Sequence, residues 1–195
     1  LGYKVAICEQ MSEPTPGMKG VLERDVLRVV TPGTVTDDQM LEDKKNNYLL
    51  SIYKSGDKIG ASYVDITTGE FKVVPFIRDP QAEISDLLVR IMPSEVLGNE
   101  EAKGFYNALP LHRLGGLPKF TQYYEWAYSK GRAEENLAKQ FGANFENVFE
   151  LSKKNELIIS AGAIIEYLNE TQKRVLGNIN KISIVKNNRY LVIDM

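Results

Sequence analysis

Hydrophobic residues in this chain fall first into short β-rich runs and later into helix-spaced stripes. Residues 3–8 and 26–31 are apolar and β-branched enough to predict two strands. Between them Pro14, Pro16 and Gly17 forbid regular structure. The second run halts at Pro32-Gly33. There Pro sets φ at the first turn position and Gly supplies a positive φ at the second, which predicts a type II turn. Two strands cannot bury a core alone, so residues 1–38 read as an incomplete unit. The polar stretch 37–47 reads as a linker with one helical turn at Met40-Leu41.

The middle of the chain alternates more regularly. Residues 48–53, 59–66 and 70–76 predict three strands joined by the turns Ser55-Gly56-Asp57 and Thr67-Thr68-Gly69. Ile59, Ala61 and Tyr63 share one face of the second strand, Val64 and Ile66 the other. Asp79-Pro80 then opens a helix, with Asp as the cap and Pro at the first helical position. Ile84, Leu87, Leu88 and Ile91 recur at i, i+3, i+4, i+7, and Pro93 ends the stripe. A strand at 95–97, a helix carrying Ala102, Phe105, Tyr106 and Leu109, and a fifth strand at 111–114 follow. Helices are predicted at 122–128 and 132–141, and a long one from Lys154 faces Leu157, Ala161, Ile164, Ile165 and Leu168 inward. Segments 179–184 and 190–194 read as extended. Three antiparallel strands continued by parallel strands through crossover helices are the ribonuclease H-like arrangement, an α/β fold with a five-stranded mixed sheet.

Composition narrows the function. Of 195 residues, 43% are hydrophobic and 26% charged, as in a soluble globular protein. The 24 Lys and Arg face 26 Asp and Glu, so a large phosphate-gripping surface is not expected. Cys8 is the only cysteine, which excludes an internal disulfide and a multi-cysteine zinc site. Among Val5, Ala6 and Ile7 it reads as a buried structural thiol. No apolar run is long enough to span a membrane and no signal peptide is visible, so a reducing cytoplasm is expected.

Catalytic patterns are sparse. Asp65 sits where ribonuclease H-like nucleases place a metal ligand, but two Mg²⁺ ions need several convergent carboxylates. Glu95 only starts its strand, and Glu83 and Asp86 lie off the apolar stripe of their helix. A fold without the active site is therefore the expectation. His112, the only histidine, has no acidic or thiol neighbour and reads as structural. A P-loop is absent, because no Gly-Lys pair occurs. Phe120, Tyr123, Tyr124, Trp126 and Tyr128 form an aromatic cluster with Glu125 inside it and few cations around. A helix packing on the sheet, or a partner contact, fits this better than base stacking. Arg24 and Arg28, four apart in a strand, point to one face and are the DNA-contact candidates, with Glu9, Glu23 or Asp25 as competing partners.

An ordered set of fragments resembles the MutS family of bacterial mismatch repair proteins. The set comprises Val5-Ala6-Ile7-Cys8-Glu9-Gln10, Glu23-Arg24 with Arg28-Val29-Val30-Thr31-Pro32-Gly33-Thr34, Asp65-Ile66-Thr67-Thr68-Gly69-Glu70-Phe71, Pro93-Ser94-Glu95-Val96, Ala163 and Tyr167-Leu168 with Thr171-Gln172, and Tyr190 with Asp194-Met195. The resemblance implies an excised piece: 1–38 the end of the mismatch-recognition domain, 39–153 the connector domain, 154–195 the start of the core and lever. It implies a parent that is a dimeric ATPase, uses ATP and Mg²⁺, clamps mismatched duplex DNA and recruits MutL. The family's mismatch-reading Phe-x-Glu and its Walker site do not occur here. The piece itself is then expected to bind no cofactor or metal and to catalyse nothing, with the mechanical role of passing nucleotide state to the clamp and offering a MutL surface. The competing readings are an inactive ribonuclease H-like binding module of another protein and a metal-dependent nuclease. The chain is accordingly expected neither to hydrolyse ATP nor to cut DNA or RNA with Mg²⁺ or Mn²⁺. Cleavage that disappears in Asp65→Asn would establish the nuclease instead.

Overall fold

A computed structural model describes residues 3–10, 24–35, 46–76, 78–110, 118–172 and 176–185. The first two strands, β1 (Val5–Gln10) and β2 (Arg24–Val30), pair antiparallel in a ribbon of their own. The second sheet is mixed. Its meander is β3 (Tyr48–Ser55), β4 (Lys58–Asp65) and β5 (Glu70–Val74), followed by β6 (Glu95–Gly98), β7 (Lys119–Gln122) and β8 (Ser183–Ile184). The order across the sheet is β7-β6-β3-β4-β5-β8. β4 runs antiparallel to its neighbours β3 and β5, while β6 pairs parallel with β3, β7 with β6 and β8 with β5. The predicted meander is present in a single sheet.

Helices cover both faces. α1 (Pro80–Ile91) starts as its sequence dictates, with the Asp79 carboxylate accepting from the amides of Gln81 at 3.1 Å and Ala82 at 3.2 Å. It ends where Met92 enters the left-handed region, immediately before Pro93. With α2 (Glu100–Asn107) it closes one face, burying Ile84, Leu87, Leu88, Ala102 and Tyr106 against Leu50, Ile52, Ala61 and Tyr63. The other face receives α3 (Lys130–Phe141), the one-turn α4 (Phe145–Val148) and α5 (Asn155–Gln172).

α5 departs from the one-sided stripe its sequence suggested. Every residue from Leu157 to Leu168 is buried. A helix buried all round is one with neighbours on all sides, and here they are β3 and β4, α3, and the ribbon through β2. Its crossing with α3 is close because Gly162 lacks a side chain. A Cβ there would lie 2.4 Å from Ala133 Cα. The division expected at residue 153 falls between α4 and α5, whose side chains share one apolar cluster.

Two local expectations change, and a third falls outside the described residues. The sheet has a sixth strand, the two-residue β8, beyond the expected five. The strand expected at 111–114 lies outside the described residues, and the edge position is taken by β7. The helix expected at 122–128 is instead the end of β7 followed by a 3-10 turn, Glu125–Tyr128. Pairing with β6 decides this, because it lets Phe120 pack on Tyr106, ring centroids 5.0 Å apart, and turns Thr121 to the opposite face.

Leu88→Ala is expected to destabilise the chain by ~2–5 kcal/mol, since Leu88 is fully buried under the sheet. The adjacent Val89→Ala, at a side chain 44% exposed, should stay within ~0.5 kcal/mol. Urea unfolding midpoints of the two variants test the pair.

Candidate functional site

The chemistry of the molecule concentrates where the ribbon meets the sheet. Thr31 to Val35, which follow β2, are all buried. Pro32–Thr34 form a 3-10 turn closed by Thr34, whose hydroxyl oxygen accepts the Thr31 amide at 2.9 Å. The type II geometry expected here is absent, since Gly33 does not have a positive φ. Glycine is required by proximity instead. A Cβ on Gly33 would meet Leu49 Cδ1 at 2.8 Å and Glu95 Cβ at 3.1 Å.

The turn rests on a fully buried carboxylate, Glu95. One oxygen, Oε2, accepts the Gly33 amide at 3.3 Å. The other, Oε1, accepts the hydroxyls of Thr121 and Tyr167, each at 2.8 Å. These donors come from the turn, from β7 and from α5. Burial, followed by the neighbouring Glu95 charge, raises the Tyr167 hydroxyl well above the ordinary tyrosine range, so it remains a donor. Two amides complete the seat. Asn47 Nδ2 donates to the carbonyls of Pro32 at 3.1 Å and Val35 at 3.3 Å, and Gln172 Nε2 donates to the Thr34 carbonyl at 3.3 Å. Lys4 adds a cation over the Tyr167 ring, 5.1 Å from its centroid.

A second polar cluster ties α3 to α5. Arg132 donates through Nε to Glu166 Oε2 at 2.7 Å and through Nη2 to Oε1 at 3.1 Å, a forked pairing. Asn136, one turn along α3, donates to the same carboxylate at 2.6 Å. Burial alone would raise the Glu166 carboxyl, but donation from Arg132 and Asn136 and the guanidinium charge outweigh it and hold it below the usual range. Arg132 also lies over the indole of Trp126, 5.8 Å from the ring. Trp126 in turn stacks on Tyr124, centroids 5.6 Å apart at 15°. Both rings are about half exposed, Tyr124 at 55% and Trp126 at 52%.

The sequence-derived candidates divide. Asp65 is buried and closes the β4–β5 turn, its Oδ1 accepting the Thr67 amide at 2.9 Å and hydroxyl at 2.6 Å. It lies opposite Tyr48, whereas Glu95 lies opposite Leu49. Successive residues of β3 face opposite sides, so these two carboxylates do not converge. No group of three or more metal-binding side chains occurs among the described residues. Cys8 is exposed, contrary to the buried thiol expected, because the ribbon carries no layer over it among the described residues. Arg28 is half-buried on β2, and the side chain of Arg24 lies outside what is described. A bulge where Ile7 pairs with Arg28 and Cys8 with Val26 interrupts the register of β2 between them. His112 also lies outside the described residues. The aromatic cluster splits. Tyr123 and Tyr128 are buried, while Tyr124 and Trp126 are presented outward.

Glu95 as a hub and the Arg132–Glu166 clamp were not foreseen. A charged residue opening an otherwise apolar strand was the one signal for the first. The i, i+4 spacing of Arg132 and Asn136 was the signal for the second.

The family model described as MutS domain II matches residues 47–180. The chain belongs to the MutS family. The model for MutS domain I matches residues 1–39, so the two matches meet at the junction just described, with the ribbon and its turn on one side and the sheet and α5 on the other. A DNA mismatch repair protein MutS of Halothermothrix orenii is 39% identical over 193 residues, covering 99% of this chain and 21% of its own length. Proteins of the same name from Alkaliphilus oremlandii and Clostridioides difficile are 37% and 36% identical, each over 100% of this chain and over 22% and 20% of their own lengths. The chain thus spans about a fifth of the curated MutS relatives it matches.

The depressed Glu166 carboxyl sets a pH dependence for this MutS segment. A lowered carboxyl contributes stability above its unfolded value, and that contribution disappears as pH falls through the lower folded value. Arg132→Gln should therefore shift the urea midpoint down at pH 7 (about neutral) and much less at a pH near 3 (about one unit below a free carboxyl). Equal shifts at both would remove the clamp.

Proposed function

We propose that this chain is the non-catalytic connector segment of a DNA mismatch repair protein that binds mismatched duplex DNA in an ATP-dependent, dimeric form. In this reading residues 1–38 are the tail of the mismatch-recognition domain, and the sheet that follows is a ribonuclease H-like scaffold used without a nuclease centre. The order β5-β4-β3-β6-β7 supports that scaffold, and the family membership supports the repair function. α5 serves both as the last layer of the connector and as its exit toward the core. One observation carries the mechanical role: a single buried carboxylate, Glu95, bonds to the recognition-side turn and to α5 at once. ATP and Mg²⁺ belong to the parent protein and have no assigned residue in this segment.

The same reading gives MutL a surface. The outward Tyr124–Trp126 stack backed by Arg132 has the aromatic and arginine composition of interface centres. Binding of this segment to fluorescent duplex DNA and to immobilised MutL tests both halves. DNA affinity should be weak, equal for homoduplex and mismatched duplex, steeply reduced between about 50 and 200 mM salt, and lowered further by Arg24→Ala or Arg28→Ala. Trp126→Ala should weaken MutL capture about tenfold or more. A clear mismatch preference would overturn the assignment of recognition to other parts of the parent, and undiminished MutL capture would overturn the surface.

A further inference from the structure

The ribbon carries exposed apolar side chains, Tyr3, Val5 and Leu27. Its attachment includes a set of polar contacts gathered in the buried turn. Five side chains hold that turn or its supports, Glu95, Tyr167, Asn47, Gln172 and Thr121, and the donors to Glu95 come from three separate elements. The arrangement is directional. Tyr167 and Gln172 both belong to α5, and each bonds a part of the joint: Tyr167 the carboxylate that carries Gly33, and Gln172 the Thr34 carbonyl. The Thr31 hydroxyl also reaches the Tyr167 hydroxyl.

We propose that Glu95 is a latch between α5 and the ribbon, its carboxylate holding Gly33 on one oxygen and Tyr167 on the other, so that the orientation of β1–β2 on the sheet follows the position of α5. A rotation or shift of α5 that carries the Tyr167 hydroxyl away removes one of the two donors on Oε1 and, through Gln172, the hold on Thr34. The buried carboxylate is then under-satisfied, a costly state for a charge away from water. The turn can lift with its glycine, because Gly33 contributes contact and one amide but no side chain. This deepens the connector role proposed above, yet it concerns geometry inside the chain, so it stands or falls separately from DNA and MutL binding.

The sole cysteine makes the test direct. Cys8 is exposed on the ribbon, and Asn107→Cys adds a second exposed position at the end of α2. With spin labels at both sites, the unaltered latch should give one narrow distance distribution. Tyr167→Phe and Glu95→Gln, which keep shape and remove a donor or a charge, should each broaden it. Hydrogen exchange at the Gly33 amide and along β2 should rise about tenfold, the loss of roughly one buried hydrogen bond, while amides of β3–β5 stay protected. If Glu95→Gln does not fold, Tyr167→Phe and Gln172→Ala decide the matter. An unchanged narrow distribution with Gly33 still protected overturns the latch. So does exchange that rises evenly across β3–β5, which would make Glu95 an ordinary polar member of the core.

Discussion

A carboxylate with no access to water must find its hydrogen bonds inside the protein, and Glu95 organises the described structure around that requirement. It opens β6, at the register position of Leu49 on the central strand β3. From there it faces α5 rather than α1, and its donors fix where the 3-10 turn, β7 and α5 stand relative to the sheet. The apolar clusters on the two faces supply most of the burial, but they would tolerate some sliding. Charge-assisted hydrogen bonds with defined geometry do not. The polar joint therefore adds a specific register to hydrophobic attachment.

The two faces of the sheet do different work. The α1–α2 face is built mainly of aliphatic and aromatic side chains, with Tyr106 on Phe120 and with Tyr48 and Tyr63 meeting edge to face, 5.2 Å apart, at its margin. The α5 face holds Glu95, Tyr167, Glu166 and Asn136, each buried with a named partner. The candidate functional features lie on this second side: the joint to the ribbon, the clamp between α3 and α5, and the outward aromatic pair next to that clamp. The polar contacts that hold the ribbon thus lie across the sheet from the apolar layer beneath α1.

Asp65 shows how such a fold can lack nuclease geometry. Its carboxylate caps a turn through Thr67, and register sends it to the face opposite Glu95. Both acidic residues sit on the central part of the sheet, where a metal centre would need them together, and the pleat keeps them apart. The two carboxylates therefore serve separate polar contacts on the two sides of the sheet.

Local pattern was enough to determine the meander, the capped α1 and the family. Those features rest on alternation, on Asp79-Pro80 and on turn glycines, which act over a few residues. Pattern also singled out Thr31-Pro32-Gly33-Thr34, although for the wrong reason. Gly33 is needed because Leu49 and Glu95 press against it, a contact across sixty-two positions that no local rule contains. Only the tertiary structure decided that 119–122 is a strand, because its pairing with β6 is a contact across some twenty-four positions that local pattern does not contain. It alone showed that α5 is buried on every side, that β2 carries a bulge between Val26 and Arg28, and that Cys8 is exposed. The reason is common to all of them. Sequence periodicity says which side of an element is apolar, but the partners that fill that side come from distant parts of the chain, and the hydrogen bonds of Glu95 exist only once three such parts have met.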